Sequence, residues 1–131
     1  MGKKIDENGL EQIVSRLDEQ WKRGLVREMY HKWKHLADTD SHNTSNSMLK
    51  FTPKGGKGWF ALFILQKKGL KFQVSDKGET IRAPGLSFTR PTTQAQFEKD
   101  GERWAYIERE DQCGAVREAF QKAWEMKTAG R

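Results

Sequence analysis

The chain has 131 residues, of which 35% are hydrophobic and 32% charged, with five Trp, seven Phe and a formal net charge of +6. That length fits one domain with a core of its own, and so many large rings argue against a disordered chain. The single cysteine, Cys113, excludes an internal disulfide framework, and the longest apolar run, Trp59–Leu65, is far too short for a membrane span.

The charge is localised. Residues 51–92 hold eight Lys or Arg against two acids, whereas residues 1–50 and 93–131 together sum to zero. The N-terminal residues Met1–Asn8 lack the apolar stretch of a signal peptide, so the expected location is cytoplasmic.

Residues 1–37 read as a helical part. Leu10, Ile13, Val14, Leu17 and Trp21 recur at spacings of three and four, and Leu25, Met29, Trp33 and Leu36 form a second stripe. The second stripe is rotated by roughly 120° from the first, at the ~100° per residue of an α-helix. Gly24 lies at the changeover and predicts a break or bend there. Residues 38–47 are polar and turn-forming, and read as a mobile loop.

Residues 48–110 read as the sheet. Met48–Thr52 is a short strand closed by Pro53, and Lys54–Gly58 is a turn. In Trp59–Lys67, Trp59, Ala61, Phe63 and Leu65 share one face, and Phe60, Leu62 and Ile64 share the other, the pattern of a central strand. Lys67-Lys68-Gly69 predicts a hairpin turn into a half-exposed strand, where Leu70, Phe72 and Val74 alternate with Lys71, Gln73 and Ser75. Residues 76–79 form a turn, and 80–91, with Pro84, Gly85 and Pro91, an irregular edge segment. Residues 92–99 read as a short helix. In Glu102–Glu110, Trp104, Tyr106 and Glu108 alternate with Ala105, Ile107 and Arg109, which predicts a strand. Residues 111–127 read as a closing helix capped by Asp111, with Ala115, Val116, Ala119, Phe120, Ala123 and Trp124 as its apolar stripe. The fold class expected is α+β: N-terminal helices and a C-terminal helix on a small antiparallel sheet.

Gly56–Leu65, the Pro84-Gly85 step, and Arg103–Ile107 followed by an amphipathic helix occur in an order that resembles the small MmcQ/YjbR-like proteins, over roughly residues 55–126. The resemblance implies a frataxin-like α+β sandwich, with helices on one face of an antiparallel sheet. It also implies a DNA-binding role.

No motif identifies an enzyme. His31 and His35 stand at i and i+4, with Asp38, Asp40 and His42 downstream, but no Glu follows His31 as in the helical zinc motif. Neighbouring Lys32 and Lys34 disfavour a cation, so no metal site is assigned. Glu108-Arg109-Glu110 lacks the lysine of a two-metal nuclease motif. The Lys54–Gly58 turn lacks the spacing and the Ser or Thr of a nucleotide-hydrolysing loop. Cys113 stands near a helix start without a nearby His, and reads as a plain, at least half-buried thiol. No cofactor is implied.

The charge supports a non-enzymatic binding module. Lys54, Lys57, Lys67, Lys68, Lys71, Arg82 and Arg90 would supply a basic surface around the sheet hairpins for the phosphate backbone of DNA or RNA. The alternative is a protein-binding adaptor or inhibitor whose basic patch docks on an acidic partner surface. A metal-dependent enzyme built on His31, His35 and the acids is the third reading. The five Trp are expected mostly in the core, but one exposed beside Lys57 or Lys71 would offer a base-stacking surface.

Overall fold

The computed structural model describes residues 3–42, 47–56, 58–66, 69–76, 81–89 and 101–129. A two-residue strand β1 (Lys3–Lys4) leads into α1 (Glu7–Val14) and α2 (Gln20–Trp33). Five strands follow: β2 (Ala37–His42), β3 (Ser47–Pro53), β4 (Ala61–Gln66), β5 (Gly69–Ser75) and β6 (Glu102–Ile107). A 3₁₀ turn at Glu110–Gln112 then opens α3 (Cys113–Thr128). The six strands pair in chain order, every neighbour antiparallel. The chain is thus an α+β protein.

Register sorts the side chains by face. Leu49 opposes Phe63, Phe63 opposes Phe72, and Phe72 opposes Ala105, so one apolar row crosses four strands. Phe51, Phe63, Phe72 and Leu65 are fully buried on this inner face, where α2 and α3 cover them. Phe120 of α3 is the hub: its ring centroid lies 4.8 Å from Phe51, 5.2 Å from Phe60, 5.3 Å from Trp33 and 6.1 Å from Phe72. Rings in such offset and edge-on contacts contribute beyond their buried area.

The helices depart from the sequence reading in where they break. Gly24 does not interrupt anything; it lies inside α2 on an exposed face, with open space where a Cβ would stand. The break falls at residues 15–19. The Ser15 hydroxyl donates to the Gln12 carbonyl at 2.6 Å, Leu17 plunges into the core, and Glu19 takes an extended backbone before α2. Trp21 therefore belongs to α2. Asp6 caps α1, its carboxylate accepting from the Gly9 N–H at 2.8 Å. Across α1 and α2, the Arg27 guanidinium donates to both oxygens of Glu11 at 2.8 and 2.7 Å.

Three further expectations are corrected. Much of the polar segment 38–47 is strand, since β2 pairs with β3 along its whole length, although of its described side chains only Ala37 and Thr39 are buried. Phe60 lies in the core beside Trp33 rather than on the outer face with Leu62 and Ile64. It sits at a corner just ahead of β4, after Gly58 at φ 86°, so strand alternation does not govern it. Asp111 lies inside the 3₁₀ turn and does not cap the last helix. The helix expected at 92–99 lies outside the described residues.

Buried Gln112 ties the end of the sheet to α3. Its Oε1 accepts from the N–H groups of Glu108 and Arg109 at 2.7 and 2.8 Å, and its Nε2 donates to the Gly85 carbonyl at 3.1 Å. Gly85 stands at φ 102° in a turn closed by the Leu86 N–H on the Ala83 carbonyl at 3.0 Å, a position that requires glycine. The segment 81–89 reaches the side of β6 away from β5, where Thr89 bridges Trp104.

Candidate functional site

The outer face of the sheet carries no described helix. The β5–β6 register opposes Lys71 to Tyr106 and Gln73 to Trp104, while β4 sets Ile64 beside Lys71 and Leu62 beside Gln73. Met48 continues the Lys71 row on β3, and Lys50 continues the Gln73 row. Leu62 and Gln73 are buried and form the floor; Met48, Lys50, Ile64, Lys71 and Trp104 are half-buried, and Tyr106 is 46% exposed.

The Lys71 Nζ lies 4.3 Å from the centroid of the Trp104 ring, a cation–π contact. The Tyr106 ring stands nearly perpendicular to Trp104, 5.2 Å away and at 74°. Two aromatic rings and an ammonium group thus share one patch of the outer face. Acids mark its margins: Asp38 and Asp40 on β2, the former 3.5 Å from the Lys4 Nζ, and Glu102 at the start of β6.

Of the expected basic residues Lys54, Lys71 and Arg82 are described, and these three do not share one face. Lys71 faces outward in the row of Met48. Lys54 is exposed beyond the far end of β3, where its N–H donates to the Leu36 carbonyl at 3.0 Å. Arg82 is exposed on the helix side, where the Lys122 Nζ donates to its carbonyl at 2.7 Å. Only Lys71 lies in a strand, where alternation sets its face; Lys54 and Arg82 lie in connecting segments. Lys57, Lys67, Lys68 and Arg90 lie outside the described residues. Lys50, Trp104 and Tyr106 were not among the expected site residues, although alternation in Glu102–Ile107 already sets the two rings on one face.

The other constellations resolve into packing and ion pairs. His31 Nε2 lies 2.9 Å from the Glu7 carboxylate, and no three His, Cys, Asp or Glu among the described residues gather around a common point as metal ligands. The side chain of His42 lies outside the described part. Burial pushes the Cys113 thiol up from its ordinary range, which disfavours the nucleophilic thiolate. The Arg109 Nε pairs with Asp111 at 3.2 Å. No helix among the described residues is long and apolar enough to cross a membrane.

Fold and face together define a six-stranded antiparallel meander, helices on one side and an aromatic, lysine-bearing surface on the other. No family model, no curated protein and no solved structure matches the chain.

Proposed function

We propose that the protein is a non-enzymatic module that binds single-stranded nucleic acid on the outer face of its sheet. The observation that carries this reading is Lys71 Nζ placed 4.3 Å over the Trp104 ring, with Tyr106 alongside. Base–aromatic stacking tolerates any sequence, and lysines neutralise phosphates with release of counterions. Lys71 holds the ring face in the free protein and turns to a phosphate when a base takes its place; Lys50 lies one row away. The DNA-binding role implied by the resemblance to MmcQ/YjbR-like proteins supports the same reading.

A protein partner is the second reading. Met48, Ile64 and Tyr106 line up in one accessible row, and exposed aromatics anchor protein interfaces.

The test is fluorescence anisotropy with labelled single- and double-stranded DNA and RNA at several salt concentrations. Sub-micromolar binding to single strands near physiological salt, falling steeply with added salt and lost in Trp104→Ala and Lys71→Glu, is the expected result. No binding even at low salt sinks the proposal and leaves the protein-partner reading.

A further inference from the structure

We infer that the outer face prefers adenine among the bases of a single strand, with Gln73 as the residue that reads it. The inference rests on the single-strand reading above and adds a specificity that stacking alone does not supply.

Gln73 lies between Leu62 of β4 and Trp104 of β6 on that face. The Trp104 N–H and carbonyl are both bonded to Thr89, at 2.9 and 2.7 Å, on the side away from β5. Gln73 and Trp104 are therefore a non-hydrogen-bonded pair, the kind in which opposed side chains stand closest, with Cα atoms about 4.5 Å apart. Gln73 is only 5% exposed, and a side-chain amide at that depth is ordinarily hydrogen-bonded. Among the described residues, the unpartnered polar atoms sealed from solvent belong to Trp33, Thr39, Arg103 and Trp124. The Gln73 amide is of another kind: no described residue hydrogen-bonds it, and its Oε1 and Nε2 stay open to the outer face.

Lys71 marks the ring face that a base would use. Its Nζ stands 4.3 Å from the Trp104 centroid, and Lys71 and Gln73 are successive outward residues of β5. The ring face that Lys71 covers therefore looks toward β5, and a base that replaces the ammonium there brings an edge to Gln73. The amide sets an acceptor beside a donor in one plane and pairs in bidentate fashion with adenine, Oε1 accepting from the N6 amino group and Nε2 donating to N7. Adenine repeats that arrangement at N6 and N1, so either orientation on the ring satisfies Gln73. Guanine presents two acceptors, N7 and O6, where adenine has a donor and an acceptor.

The test is fluorescence anisotropy of the full chain with labelled decamers of deoxyadenosine, deoxycytidine, thymidine and deoxynebularine at one salt concentration. Deoxynebularine keeps the purine ring and N7 but lacks the N6 amino group. The adenine decamer should bind at least about fivefold more tightly than each of the others, the lower bound for one bidentate pair. Gln73→Leu, which keeps the side chain's bulk, should bring adenine to the nebularine level and leave nebularine unchanged. Should that variant fail to fold, the adenine–nebularine comparison on the unaltered protein decides by itself. Equal binding of adenine and nebularine, or a preference that survives in Gln73→Leu, overturns the inference and leaves the single-strand reading standing. No binding of any decamer overturns both.

Discussion

The carboxylate of Asp76, fully buried at the end of β5, lies 3.1 Å from the Arg103 guanidinium and also accepts from the Ile81 N–H at 2.9 Å. Through its own N–H it holds the Gly101 carbonyl at 2.7 Å. One residue, through its side chain and its backbone N–H, thus fastens the exit of β5, the entry of β6 and the start of the 81–89 segment. Removing one partner of a buried pair strands the other charge, whereas the intact pair adds little net stability over an apolar substitute.

Asp76→Ala should therefore destabilise the protein by about 3–5 kcal/mol, read as a lower urea midpoint. The double variant Asp76→Ala with Arg103→Met should recover part of that loss. A double variant no more stable than Asp76→Ala would show that the Asp76–Ile81 hydrogen bond, rather than the stranded charge, dominates.

Gln112 offers a second test in which charge plays no part. Gln112→Leu keeps the volume but leaves the N–H groups of Glu108 and Arg109 and the Gly85 carbonyl without their partner. At about 1–3 kcal/mol per stranded group, a loss of at least ~2 kcal/mol is expected in thermal or urea unfolding. Gln112→Glu retains the acceptor and should lose less.

Periodicity made β5 and the apolar face of α3 legible, because Leu70, Phe72 and Val74 repeat every second residue and Ala119, Phe120 and Ala123 follow the helical turn. It could not show β2. Asp38-Thr-Asp-Ser-His42 has the composition of a loop, and it is a strand because β3 supplies its hydrogen-bond partners over six residue pairs. The same limit applies to the candidate site. Alternation sets Trp104 and Tyr106 on one face, but placing Lys71 over Trp104 needs the β5–β6 register, which is set by pairing across residues 76–101 and by no local pattern. Charge density along the chain pointed to Lys54 and Arg82, which the fold sends elsewhere.

Acid pH should loosen the contact between α2 and α3. The Arg117 guanidinium donates to both oxygens of Glu28 at 2.6 and 2.9 Å, and this hydrogen bonding holds the Glu28 carboxyl below its ordinary range. A carboxyl depressed in the folded state contributes stability that is present above its unfolded pKa and lost as pH falls through the folded one. Both side chains are well exposed, so the pair's coupling should be only about 0.2–1 kcal/mol in a double-mutant cycle at neutral pH. Glu28→Gln should flatten the acid limb of the stability–pH curve; an unchanged limb would mean that the pair carries no net coupling.

Substitutions on the outer face separate binding from folding. Tyr106 is 46% exposed and makes its one described ring contact with Trp104, so Tyr106→Ala should change stability by no more than about 0.5 kcal/mol. A lost stacking platform nevertheless costs about 1–3 kcal/mol of single-strand binding. Lys71→Ala should also weaken binding, and should reduce the slope of log K against log salt by about 0.7, the value for one phosphate contact on a single strand. Lys54, beyond the opposite end of β3, serves as the internal control: Lys54→Ala should leave both affinity and slope unchanged. Equal effects of Lys54→Ala and Lys71→Ala would instead mean that binding follows net charge rather than the Trp104–Tyr106 surface, and would overturn the assignment of the face.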